Sequence, residues 1–83
     1  MVSEAQVMHE IRRLVTRELS LTREIQPTDR LVDDLGLDSL TMTTLAVELE
    51  DCFQIILSDE QAARIETVAE LARCVAQRAG ASS

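Results

Sequence analysis

Apolar residues recur at helical intervals in three stretches of the chain. Val7, Met8, Ile11, Leu14, Val15 and Leu19 form one stripe; Met42, Leu45, Ala46, Leu49, Cys52 and Phe53 form a second; Val68, Leu71, Ala72, Val75 and Ala79 form a third. Spacings of three and four bring such side chains onto one face of a helix, whereas a strand would require alternation. The start signals agree with the stripes. Ser3-Glu4-Ala5-Gln6 has the S-x-x-Q form of a capping box, Asp38 precedes the second stripe, and Thr67-Val68-Ala69-Glu70 is a further box at the third. These patterns predict helices over about residues 4–19, from 38 or 39 to about 53, and over about 68–79, with Gly80 placed to stop the last. Ser58-Asp59-Glu60-Gln61 repeats the box after the apolar connector Ile55-Ile56-Leu57 and predicts a short helix over about residues 59–65.

Residues 20–38 lack this period. They contain Pro27 and Gly36, and Leu21, Ile25, Leu31, Val32, Leu35 and Leu37 fall at mixed spacings. A loop of this length is unusual in a small domain, and its aliphatics predict that it is ordered and packs across helix ends. The expected fold is all-α: a small four-helix bundle of three main helices and one short one, with a long loop between helices one and two. With 83 residues the chain is one domain, its core about 3–79 and 80–83 a frayed tail, and it is too short for a cleft between two lobes.

Composition narrows the function classes. Hydrophobic residues make up 46% and charged residues 28%, too apolar for a disordered tail, and a single aromatic, Phe53, argues against a small β-barrel. The net charge of −7 is unevenly placed. Residues 31–60 hold eight acids and no Lys or Arg, a charge of −8, while the remainder holds seven acids and eight Arg, a charge of +1. Such a field repels nucleic acid and attracts basic protein patches. Cys52, Cys74 and His9 cannot assemble a zinc motif, and the expectation is reduced thiols in a cytoplasmic protein. No segment has the apolar length of a membrane span.

The second helix has two distinct faces. Opposite the apolar stripe lie Leu40, Thr44, Val47, Glu48 and Asp51, which places two aliphatics toward solvent among acids and predicts a partner surface. No catalytic residues are expected: a Ser or Cys nucleophile needs a positioned base, and His9 lies within helix one. No metal is expected either, because Asp33, Asp34 and Asp38 around Gly36 do not fit an EF-hand loop.

At the junction of the loop and helix two stands Asp34-Leu35-Gly36-Leu37-Asp38-Ser39-Leu40. This segment resembles the modification motif of the acyl carrier proteins, in which the Ser of Asp-Ser-Leu bears 4′-phosphopantetheine donated by coenzyme A. Leu45 with Leu49-Glu50-Asp51-Cys52-Phe53, and Ser58-Asp59-Glu60 with Ile65-Glu66-Thr67-Val68, are similar to the family's later helices, so the resemblance covers about residues 3–79. It implies that Ser39 is the attachment residue, that Asp38, Leu40 and Gly36 belong to its recognition site, and that the arm carries acyl groups as thioesters while the protein itself catalyses nothing. A hydroxyl in the first turn of a helix agrees with this physically, since the helix dipole favours a phosphodiester there by about 0.3–1 kcal/mol. In this family cargo enters the bundle between helices two and three, which makes Met42, Leu45, Ala46, Leu49, Phe53, Leu57, Ala62 and Ile65 the candidates for a lining; the same residues are the expected core.

The implied partners are a phosphopantetheinyl transferase and acyl-processing enzymes with basic docking patches, among them acyltransferases or ligases and ketosynthases. No nucleic acid or membrane partner is implied, and a discrete, monomeric carrier is expected. Departures from the pattern bear on the pathway: Leu31 stands where many fatty acid carriers have Phe, Gln54 where they often have Gly, Ser58 where they often have Pro, and Thr41 and Thr44 where acids are common. They lean toward polyketide or hybrid biosynthesis over fatty acid synthesis. The alternatives are a peptidyl carrier, against which Asp38 argues because many of those carry His there, and a cofactor-free acidic adaptor.

Overall fold

The computed structural model describes residues 2–20 and 23–81 and contains four helices in the order α1 (Glu4–Leu19), α2 (Ser39–Phe53), α3 (Asp59–Arg64) and α4 (Val68–Ala81). The first begins where its capping box predicts. The Ser3 hydroxyl accepts the Gln6 N–H at 3.2 Å, and the Gln6 side chain accepts the Ser3 N–H at 2.9 Å. Val7, Ile11, Leu14 and Val15 turn inward, and Ser20 ends the helix in a left-handed conformation. Gln54 ends α2 in the same way, its N–H bonded to the Glu50 carbonyl. Ser58 and Gln61 form a complete second box at the start of α3, and Ile65 caps its other end.

Two expectations at α4 need correction. The helix passes through Gly80 to Ala81, so Gly80 does not stop it; its φ is not positive, and a glycine ends a helix readily only by turning left-handed. The Thr67 box is half formed as well. Thr67 Oγ1 accepts the Glu70 N–H at 3.2 Å, but the Glu70 carboxylate accepts from Glu66, one residue before the cap. Ser82 and Ser83, assigned to a frayed tail, and Leu21, counted among the loop aliphatics, lie outside the described residues.

α1, α2 and α4 pack on one another, and no helix pair with substantial contact includes α3. Their stripes meet in one apolar cluster, to which the long loop contributes Ile25, Leu31, Leu35 and Leu37, all buried. The loop also solves a problem for α4, whose first amides have no intrahelical acceptor. The Pro27 carbonyl accepts the Ala69 N–H at 2.9 Å and the Asp29 carbonyl accepts the Val68 N–H at 3.0 Å, while the Leu31 N–H donates to Glu66 at 2.8 Å. On the other side the Arg12 Nε donates to the Ile25 carbonyl. The loop is thus pinned at both flanks, as its aliphatic content requires.

Within α2 the inward stripe is narrower than the sequence predicts. Leu45 and Leu49 are buried, and Met42, Ala46 and Phe53 are partly so, but Cys52 is exposed. It lies at the rim of α1, where its thiol meets the Glu10 carboxylate at 3.8 Å. Desolvation, then the Glu10 charge, raises its pKa above the ordinary thiol value.

Candidate functional site

The end of the loop delivers the chain to α2 through a tight series of turns. Asp34 accepts the Arg30 N–H at 2.7 Å, the Leu37 N–H returns to the Leu31 carbonyl, and Gly36 between them has φ +73°. That left-handed conformation is the reason for glycine at this position. Asp38 then caps α2: its side chain accepts the Thr41 N–H at 2.8 Å and its carbonyl accepts from Met42. The Thr41 backbone N–H, followed by the Thr41 hydroxyl, holds the Asp38 carboxyl below its ordinary pKa. Its charge is therefore committed to the helix start.

Ser39 is the first residue of α2 and is exposed. Beside it runs an open groove of about 490 Å³, bounded by Val32 and Leu37 from the loop, Met42 from α2, and Ala62, Ala63 and Ile65 from the α3 side. The arrangement suits a phosphodiester with an extended arm: an accessible hydroxyl at a positive helix end, a neighbouring acid, Asp38, whose carboxylate is already bonded to the Thr41 N–H, and a trough with aliphatic walls leading away. Within α2 the first nine residues, 39–47, carry no charge, because Thr41 and Thr44 stand among them. The Thr43 and Thr44 hydroxyls are turned back to the Ser39 and Leu40 carbonyls at 2.9 and 3.0 Å.

The outer-face residues are only partly grouped as expected. Leu40 (77% exposed) and Val47 (55%) face solvent, and Asp51 is exposed as well. Glu48 differs: it leans toward α1 and pairs with Arg17 at 3.3 Å, a half-exposed ion pair worth little to stability but enough to orient the carboxylate. Ile56 is a residue the sequence reading missed. It is 79% exposed and shares a shallow groove with Val47, Glu50 and Asp51. The connector alternates buried, exposed, buried over Ile55-Ile56-Leu57, and three consecutive aliphatics gave no sign of which one would face outward.

Further inside, Met42, Leu45, Ala46, Leu57, Ala62 and Ile65, with Leu71 of α4, line a narrow apolar void of only about 20 Å³. That is room for about one water-sized probe. Six of the eight lining candidates are thus brought together, and two are not. Leu49 is fully buried one turn beyond the void. Phe53 lies roughly 10 Å farther along the axis than Ala46 at 1.5 Å per residue and instead borders a groove with Val2, Ala5, Gln6 and His9 of the α1 side.

Among the described residues no group of three His, Cys, Asp or Glu side chains is arranged for a metal ion, and no helix is long and apolar enough to cross a membrane.

Comparison with known proteins agrees with this geometry. Residues 9–75 match the model of the phosphopantetheine attachment site family. The chain is 42% identical over 86 residues to an acyl carrier protein of Streptomyces coelicolor, covering 96% of this chain and 94% of that protein. It is 35% identical over 69 residues to one of Myxococcus xanthus, covering 82% and 87%. A solved structure from Mycobacterium tuberculosis assigned as an acyl carrier protein superposes with a TM-score of 0.80 at 39% identity, covering 86% of this chain and 96% of that one. The acyl carrier protein of Thermotoga maritima superposes with a TM-score of 0.84 over 96% and 94% of the two chains, and at 17% identity it speaks for the fold alone. With a capped helix presenting an exposed hydroxyl and a family match spanning most of its length, this chain belongs to the acyl carrier proteins, the phosphopantetheine-bearing family.

Proposed function

We propose that Ser39 is the residue that bears 4′-phosphopantetheine. The observation that carries this reading is the position of Ser39: exposed, first in α2, directly after the cap Asp38, and at the mouth of an apolar groove. The arm, once attached, supplies a thiol that holds acyl groups as thioesters. The chain's own residues do the rest. Asp38 fixes the start of the helix, Gly36 permits the turn that exposes it, and Leu37, Met42 and Ile65 form the trough along which an arm lies. The polypeptide contributes attachment and presentation and no catalytic group, and it acts as one domain over residues 1–83.

The docking surface is assigned to Leu40, Thr44, Val47 and Asp51, with Ile56 added and Glu48 in a lesser role because Arg17 engages it. It suits the phosphopantetheinyl transferase first, and afterwards acyltransferases or ligases and ketosynthases bearing basic patches around apolar pockets. The uncharged first half of α2 favours a carrier of polyketide or hybrid biosynthesis over one of fatty acid synthesis; full rescue of a fatty acid synthesis mutant would count against that assignment.

The decisive experiment is intact mass of the wild type and Ser39→Ala after incubation with coenzyme A and a promiscuous phosphopantetheinyl transferase. Gain of one phosphopantetheine by the wild type alone is expected. No gain by folded wild type, or gain by Ser39→Ala, overturns the assignment.

A further inference from the structure

Among the acids of α2, Glu50 is turned inward rather than outward. Its carboxylate accepts the Leu57 N–H at 2.8 Å in a partly buried contact that spans seven residues. Its carbonyl meanwhile receives the Ile55 N–H at 3.0 Å and the Gln54 N–H that ends α2. One residue thus organises the whole reversal between α2 and α3.

α3 needs such an anchor. It is six residues long, and every described side-chain hydrogen bond within it is internal: Ser58 with Gln61, and Arg64 with Glu60. The next described bond to another part of the fold comes only at Glu66, whose carbonyl accepts the Leu31 N–H. Between Glu50 and Glu66 the segment is otherwise held by apolar burial, of Ile55 and Leu57 in the connector and partly of Ala62 and Ile65, and Leu57, Ala62 and Ile65 form one wall of the void of about 20 Å³. The opposite wall belongs to α2 and α4, which are packed on each other.

We propose that Glu50 is a positioning residue, the latch that holds α3 against α2 and keeps the apolar space between them closed. Letting go of Leu57 would allow α3 to swing on its Glu66 end and would join the void to the groove beside Ser39, since Met42, Ala62 and Ile65 line both. Glu50 therefore sets how much cargo the bundle can shelter, and its side-chain oxygen serves the latch rather than partner docking. The positioning of α3 stands independently of the attachment residue; only the consequence for cargo rests on the carrier reading.

The test is amide hydrogen exchange on the full-length, unmodified chain for the wild type, Glu50→Ala and Glu50→Gln. Losing a partly buried hydrogen bond to a charged acceptor is expected to speed exchange at Leu57 and across α3 by roughly tenfold to hundredfold in Glu50→Ala. Amides of α1 and α4 should stay at wild-type rates. Glu50→Gln retains an acceptor oxygen and should remain within about threefold of wild type. Unchanged α3 exchange in Glu50→Ala overturns the latch. So does equal acceleration in all helices or loss of the fold, which would make Glu50 a general stabiliser, and so does Glu50→Gln exchanging as fast as Glu50→Ala, which would assign the effect to charge. Because no arm is attached in this experiment, failure of the Ser39 assignment would appear only in the mass measurement.

Discussion

Replacing Gly36 by Ala isolates a backbone effect beside the candidate attachment site. Gly36 has φ +73°, and a Cβ built there meets nothing within 4 Å, so no steric clash enters the balance. Two terms remain. Holding an L-residue in the left-handed region costs about 1–2 kcal/mol. Against this, Ala has fewer unfolded conformations to lose than Gly, which returns about 0.4–1 kcal/mol. The net loss is about 1 kcal/mol, equivalent to a fall in Tm of roughly 4–8 °C for a domain of this size. Urea denaturation should show the midpoint falling with an unchanged slope, since the surface exposed on unfolding is the same. Gly36→Asn should lose less, because Asn tolerates this region better than Ala. A neutral or stabilised Gly36→Ala would refute the reasoning, because it would mean that the turn into α2 does not need positive φ. A loss above about 3 kcal/mol would refute it from the other side, by requiring a clash that the open surroundings of Gly36 do not contain.

Three further outcomes are expected. Leu31→Ala should cost about 2–5 kcal/mol, as for a core leucine, although Leu31 lies in a loop; a thermal or urea measurement giving under 1 kcal/mol would mean that the loop is not docked. Ser58→Ala should cost about 1 kcal/mol through loss of the α3 cap, seen as faster exchange of the α3 amides, and Ser58→Gly only a few tenths. Acid should weaken the fold in a specific way. Asp29 and Asp38 are held below their ordinary pKa by the Gln26 and Thr41 backbone N–H groups respectively, so below the ordinary carboxylate range the unfolded chain binds protons that the folded chain resists. That stability is present above the unfolded pKa of about 4 and is lost as pH falls through the lower folded values. The urea midpoint should drop between pH 5 and 3, and less steeply in an Asp29→Asn, Asp38→Asn double variant; an identical slope would exclude these two groups.

The helices were legible because each signal is local. Ser3 with Gln6, Asp38 with Thr41 and Ser58 with Gln61 act within one helical turn, so residue types alone locate the starts. The motif around Ser39 was legible for the same reason, since cap, hydroxyl and glycine are neighbours in sequence. What escaped depends on the direction in which a side chain leaves its helix. Cys52 sits at an apolar-stripe position yet ends at the rim, because α1 presents Glu10 there. Glu48 and Glu50 read alike as members of an acidic run, yet one pairs with Arg17 and the other with the Leu57 amide. Phe53 fits the inward pattern but lies too far along α2 to reach the void. Such outcomes are fixed by partners distant in sequence, which periodicity does not encode.

The bonds that pin the long loop also set an order of events during synthesis. The carbonyls of Pro27 and Asp29 and the amide of Leu31 pair with residues at 69, 68 and 66, between 35 and 42 positions later. Closing contacts that far apart gains nothing until both ends are present. While the first half of the polypeptide emerges from the ribosome, α1 and the local turns of residues 30–37 can begin to form, but the Leu31 N–H still lacks the Glu66 carbonyl and the Pro27 and Asp29 carbonyls still lack the amides of α4 that pin the loop. The presentation of Ser39 is therefore a property of the finished molecule. A nascent chain holds the residues of the long loop well before it holds the partners that dock that loop and fix its approach to α2.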